Sequence, residues 1–152
     1  MTPAVRRATS EDAGQISDII SEVLGEGVPV ALDGPMTADE VVAWQERMGD
    51  RGAIFAADDE TRVVGFGIID PLEDSPDECF YGAWVRVDER RKGYATLLAE
   101  QALAFAREVG YRNIRGQLPE GNEPALSYLS AIGGMVPFTN PGAHFELPLE
   151  QE

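Results

Sequence analysis

Ile16, Ile19, Ile20, Val23 and Leu24 recur every three or four residues, the spacing that gathers side chains on one side of an α-helix. Thr9 or Ser10 stands ready to cap that helix and Gly25 to end it, and Val5–Ala8 ahead of it reads as a short strand. The segment Gly25–Met36, with three glycines and two prolines, predicts a loop that reaches Thr37. Thr37 and Glu40 have the spacing of a capping box, so a second helix should start there. It would carry Val41, Trp44 and Met48 on one face and stop at Gly49.

Beyond Gly49 the pattern changes period. Ala53–Ala57 and Arg62–Asp70 flank the polar turn Asp58–Thr61 and predict an antiparallel hairpin, with Gly65 and Gly67 marking a bulge or a close backbone approach. A loop over Pro71–Pro76 should precede a long strand over Glu78–Val87. A helix from about Gly93 to Val109 follows, with Leu97, Leu98, Ala102, Phe105 and Val109 on its stripe and Gly110 closing it. Asn113–Leu118 reads as a strand, Pro124–Ile132 as a short helix, and Met135–Thr139 and His144–Leu149 as closing strands. The order β-α-α-β-β-β-α-β-α-β-β predicts an α/β domain with a mixed, mostly antiparallel sheet and helices on both faces.

The 152 residues, 43% hydrophobic, fit a single domain over 1–152, and no apolar run approaches the roughly 18 residues of a membrane span. No export signal is visible at the start of the chain. Cys79 is the one cysteine and His144 the one histidine, so neither an intrachain disulfide nor an ordinary zinc site is expected, and the cytoplasm is the simplest location. A net charge of −15 argues against nucleic acid as a partner. The charge is uneven: residues 1–80 hold 18 acidic and five basic side chains, whereas residues 81–152 hold nine and seven. The first part repels anions, and its excess acid serves either as a solubilising surface or as an attractor of cations.

The chain turns basic at one place, Arg90-Arg91-Lys92-Gly93-Tyr94-Ala95, where a predicted strand meets a predicted helix. Helix-start amides and the positive end of the helix dipole suit a phosphate there. Neither the phosphate-loop pattern G-x-x-x-x-G-K-[ST] nor the dinucleotide pattern G-x-G-x-x-G is present. What remains is R-x-x-G-x-A, and on sequence alone it also reads as solvated cations at a strand end.

That hexapeptide resembles the pyrophosphate loop [QR]-x-x-G-x-[GA] of the Gcn5-related N-acetyltransferases (GNAT). The opening R-x-A-T-x-E-D-A at Arg6–Ala13, V-V-G-F at Val63–Phe66 and N-x-x-A at Asn122 and Ala125 are similar to that family in order and spacing. The resemblance covers nearly the whole chain. It implies the acyl-CoA N-acyltransferase fold with a splayed central cleft, and acetyl-CoA as donor without a metal. The diphosphate would lie on amides of Arg91, Lys92, Gly93, Tyr94, Ala95 and Thr96, with Arg90, Arg91 and Lys92 adding charge. Pantetheine would pair with the fourth strand at Val85 and Val87 and touch Asn122, and an amide near Val85 would polarise the acetyl carbonyl. The resemblance also allows a homodimer.

Proton transfer is less legible. The family tyrosine that protonates the leaving thiolate falls on Leu129, with Tyr128 one residue early. A strand-five glutamate base found in one branch falls on Gln117. Other branches place the base on strand four, where Cys79 and Tyr81 stand, with Glu78 beside them on the opposite face. Tyr81 would order a water or line the pocket. Glu26 and Asp33, in the loop between the first two helices, favour a protonated amine as acceptor. The implied activity is transfer of an acetyl group to a small cationic amine in a ternary complex. Two alternatives stay open: an acyl-CoA sensor without turnover, and an acyltransferase for a peptide or protein amine.

Overall fold

A computed structural model of the chain describes residues 4–25, 34–89, 92–116 and 145–148. Among these residues six strands run side by side in chain order: β1 (Ala4–Arg7), β2 (Ala53–Asp58), β3 (Val63–Leu72), β4 (Ser75–Val85), β5 (Asn113–Gly116) and β6 (Phe145–Pro148). Every neighbouring pair is antiparallel except β4 and β5, which are parallel because α3 (Tyr94–Val109) carries the chain back between them. α1 (Ala13–Leu24) and α2 (Ala38–Met48) cover the other face. The mixed sheet with helices on both faces is therefore as the sequence predicts.

Strand alternation divides the apolar residues into two cores. Phe55, Val64, Ile69, Tyr81 and Val85 pack beneath Leu98, Ala102 and Leu103 of α3. Ile54, Phe66, Ile68 and Trp84 pack beneath Ile16, Ile19, Ile20 and Val23 of α1 and Val41 and Met48 of α2. The buried stripe of α3 includes Tyr94, Leu98, Ala99, Ala102, Leu103 and Ala106, while Leu97, Phe105 and Val109 are only half-buried, so the helix is turned from its predicted orientation.

The opening motif has a structural use. Arg6 donates to both oxygens of Asp12 at 2.8 and 2.9 Å and to Asp58 at 3.0 Å, and Asp12 also accepts the Thr9 N–H at 2.8 Å. This ties β1 to β2 and to the 3-10 turn Ser10–Asp12 that leads into α1. The Arg6 guanidinium holds the Asp12 carboxyl below its usual range. The Thr37–Glu40 capping box forms as expected, at 3.0 and 3.1 Å.

Two expectations are corrected, the Pro71–Pro76 loop and the end of β4 at Val87, and of the two readings of Gly65 the close approach holds. Pro71–Pro76 is not a loop: β3 runs to Leu72, turns over Glu73–Asp74, and returns from Ser75. Pro71 is tolerated because β2 stops pairing with β3 at Ala53 and Ile69, so the missing N–H breaks no rung. The irregular register of the first hairpin lies at Ala57/Asp58, whereas Gly65 is a close approach, since a Cβ there would stand 2.9 Å from the Trp84 carbonyl oxygen. β4 ends at Val85, and Val87 belongs to a 3-10 turn over Val87–Glu89. The predicted helix Pro124–Ile132 and strand Met135–Thr139 lie outside the described residues, as does most of the loop before Thr37.

Candidate functional site

β4 pairs in parallel with β5 from Glu78 to Tyr81. The β4–β5 pairing among the described residues ends at Tyr81 and Gly116, while β4 continues to Val85. The Arg86 N–H donates to the Val64 carbonyl on β3 at 2.8 Å. Alternation then turns the backbone groups of Ala83 and Val85 to the opposite side, the side where β5 stands lower down.

The start of α3 is shaped for an anion. Gly93, the N-cap of α3, has φ +91°, a left-handed conformation that glycine adopts without steric cost. The first intrahelical bond runs from the Leu97 N–H to the Gly93 carbonyl at 3.1 Å, so the amides of Tyr94, Ala95 and Thr96 head the helix without helical partners. A Cβ built on Gly93 meets nothing within 4 Å. Tyr94 is buried as the first anchor of the helix, and Ala95 and Thr96 are half-buried. Lys92 is exposed and its Nζ lies 3.1 Å from the Glu89 carboxylate. Arg90, Arg91 and Asn122 lie outside the described residues.

The strand end is held from the α1 side by residues the sequence reading missed. Arg86 is buried, with Nε donating to the Val63 carbonyl at 3.0 Å and a terminal nitrogen to Glu22 of α1 at 2.9 Å. The other Glu22 oxygen accepts the Val87 N–H at 3.3 Å. About two turns of α1 toward its start, Gln15 accepts the Val63 N–H at 2.7 Å. The available signal was a charged residue continuing the inward-facing register of Gly82 and Trp84. Val87, half exposed at 50%, therefore offers its carbonyl rather than its N–H to any ligand.

On the α2 side of the sheet lies an open cleft of about 750 Å³, lined by Met36, Trp44, Arg47, Ile68, Asp70 and Phe80 among others. Asp70, at the end of the apolar run of β3, accepts the Trp44 indole N–H at 3.0 Å and an Arg47 N–H at 3.1 Å on one oxygen. Its other oxygen is buried and has no hydrogen-bond partner.

Tyr81 and Cys79 point away from this cleft. Tyr81 is 1% exposed in the α3-side core with Cys79, Tyr111 and Ile114, and burial pushes its phenol up. The expectation that Tyr81 lines the pocket is corrected: odd-numbered β4 positions face α3, and Phe80 is the β4 side chain in the cleft. Burial pushes the Cys79 thiol up to about 12. Iodoacetamide at pH 8 is accordingly expected to leave Cys79 unmodified in the folded protein and to alkylate it in denaturant; modification of the native chain, read by mass, would contradict its burial. Between about pH 9 and 12 the unfolded chain loses a proton that the folded chain keeps, so this thiol lowers stability as pH rises through that window. Glu78 is fully engaged by Ser75, Asn113 and Arg115, and its carboxyl is held below the usual range by Asn113 foremost. Tyr128, Leu129 and Gln117 lie outside the described residues. Among the described residues, no helix is long and apolar enough to cross a membrane and no group of three His, Cys, Asp or Glu could hold a metal.

The profile of the acetyltransferase (GNAT) family matches residues 19–133. No curated protein matches the sequence. Among solved structures, yncA of Salmonella typhimurium, determined with its cofactor acetyl-CoA, superposes with a TM-score of 0.81 at 16% identity, covering 100% of this chain and 96% of that one. A phosphinothricin acetyltransferase from Sinorhizobium meliloti in complex with acetyl-CoA gives 0.80 at 18% identity, with 98% and 89% covered. An N-acetyltransferase from Staphylococcus aureus Mu50 gives 0.75 at 23% identity, with 99% and 100% covered.

Proposed function

The chain belongs to the GNAT acetyltransferase family, and on that premise we propose that it transfers an acetyl group from acetyl-CoA to a small cationic amine. The observation that supports this reading best is the start of α3, where Gly93 has a positive φ and the first helical amides have no helical partners. The diphosphate rests on the amides of Tyr94, Ala95 and Thr96, with Arg90, Arg91 and Lys92 supplying charge. Lys92 exchanges its surface contact with Glu89 for the phosphate, a small loss because exposed ion pairs contribute little. The pantetheine arm extends β4 as an added strand, bonding to backbone groups of Val85 and the Val87 carbonyl. Asn122 contacts the same arm.

Catalysis is direct. The acceptor ammonium first gives its proton to water; the neutral nitrogen then attacks the thioester carbonyl, the C–N bond forms, and a backbone N–H near Val85 stabilises the oxyanion. Collapse breaks the C–S bond, the amide nitrogen gives up its second proton, and the thiolate takes one; Tyr128, one residue before the family tyrosine position at Leu129, is the candidate donor. The Cys79 thiol takes no part, since its burial and raised pKa keep it protonated and away from the cleft.

Release of free thiol from acetyl-CoA, followed across a panel of primary amines, tests this reading. Saturable release with at least one amine is the expected result. Tight CoA binding with no release across a broad panel, peptides included, would identify an acyl-CoA sensor instead.

A further inference from the structure

The turn between β4 and α3 is held from α1. Gln15 and Glu22 lie seven residues apart, about two helical turns, and so face the same way. Gln15 accepts the Val63 N–H of β3, and Glu22 reaches past the strand end to the N–H of Val87, the first residue of the 3-10 turn Val87–Glu89. Within the turn the Glu89 N–H donates to the Arg86 carbonyl at 2.9 Å. A further long-range contact, Arg62 to Asp88 at 3.1 Å, joins two exposed side chains and contributes little. Glu22 is placed differently. Its other oxygen is bonded to the buried Arg86, whose Nε is fixed on the Val63 carbonyl, so the carboxylate is oriented before it meets the turn.

The turn carries the basic stretch. Arg90, Arg91 and Lys92 are the three residues between its end at Glu89 and Gly93, the N-cap of α3. The helix end of that span is seated independently, because Tyr94, Leu98 and Ala102 are buried against the sheet. The other end departs from the turn. We propose that Glu22 is a positioning residue of the donor site: by holding the Val87 N–H it fixes where the basic stretch leaves the sheet, so that its cations meet the acetyl-CoA diphosphate without first having to be ordered. The inference rests on the acetyl-CoA reading of the α3 start. Arg86 neutralises the Glu22 carboxylate, so an acid this close to the basic stretch does little to repel the diphosphate.

Two double variants test it. Arg86→Met with Glu22→Leu and Arg86→Met with Glu22→Gln each remove one positive and one negative charge, so the net charge and the attraction of the chain for CoA stay matched. Only the glutamine form keeps a side-chain oxygen for the Val87 N–H. Calorimetric titration of the full chain with CoA is expected to show the leucine form weakened about 5- to 10-fold and the glutamine form within about twofold of the unaltered chain. Stability alone does not give that order, because the leucine form is the one in which an apolar pair restores the fold. Equal CoA affinities in the two double variants, or a leucine form that binds as tightly as the unaltered chain, would overturn the proposal. Absence of CoA binding by the unaltered chain would remove the donor reading and the proposal with it, whereas binding indifferent to residue 22 would keep the donor site and remove the role of Glu22.

Discussion

Gly93→Glu is expected to weaken acetyl-CoA binding about 100-fold or more while the chain still folds. At φ +91° any side chain costs roughly 1–2 kcal/mol in backbone strain, but the Cβ itself meets nothing within 4 Å, so no packing is lost. A carboxylate at a helix start is also no burden to the free protein, since the dipole there favours negative charge. With the diphosphate in place the balance reverses. Like charges about 4 Å apart near a protein surface repel by about 4 kcal/mol, enough for the stated loss. Gly93→Ala separates the two contributions, because it introduces the strain without the charge and should weaken CoA only slightly. Unchanged CoA affinity in Gly93→Glu, measured by calorimetry, would remove the α3 start from the cofactor site.

Arg86→Met should have the largest effect on stability, a loss of about 3 kcal/mol. The change deletes the bonds to the Val63 carbonyl and to Glu22 and strands the Glu22 carboxylate, which is 34% exposed, at the sheet edge. Breaking a buried pair on one side costs about 3–5 kcal/mol, and the partial exposure of Glu22 keeps the value at the low end. For a chain of this size the melting temperature should fall by about 6–12 °C. The double change Arg86→Met with Glu22→Leu should recover most of the loss, as replacing a whole buried pair by apolar groups often does. Strict additivity of the two changes in chemical denaturation would show that Arg86 and Glu22 are not coupled.

The clamp also explains why Val87 departs from its expected place. Read as a sequence, Val85 and Val87 continue the alternation of β4 and look equivalent. In the folded chain Glu22 of α1 takes the Val87 N–H and Arg86 holds the Val63 carbonyl, which ends the strand at Val85 and bends the backbone into the 3-10 turn. Only a residue 65 positions earlier in the chain makes that difference, and no local pattern announces it. The same holds for Tyr81. An aromatic on strand four lies on the cleft or in the opposite core according to register alone, and one step of register exchanges the two faces.

Local chemistry was enough for most of the described elements and for the conformation of the turn before α3. Helical spacing in Ile16–Leu24, the Thr37–Glu40 box and the R-x-x-G-x-A turn each depend on residues within a few positions of one another, so their physical consequences are readable in the chain. Gly93 is the clearest case, because a glycine between a strand and a helix announces its conformation before any tertiary contact is made. The hairpin over Leu72–Ser75 was not readable, since its two prolines signal a loop everywhere except beyond the end of a neighbouring strand.

The amino-acid sequence by itself determined the family, the order of the described elements and the glycine start of α3, because these rest on spacing and on the intrinsic preferences of glycine, caps and apolar stripes. Tertiary structure alone decided which side chains share the cleft. Asp70, Trp44, Arg47 and Phe80 come from three separate elements, and the state of Asp70, one oxygen committed and one unpaired, exists only once α2 has docked across β3 and β4.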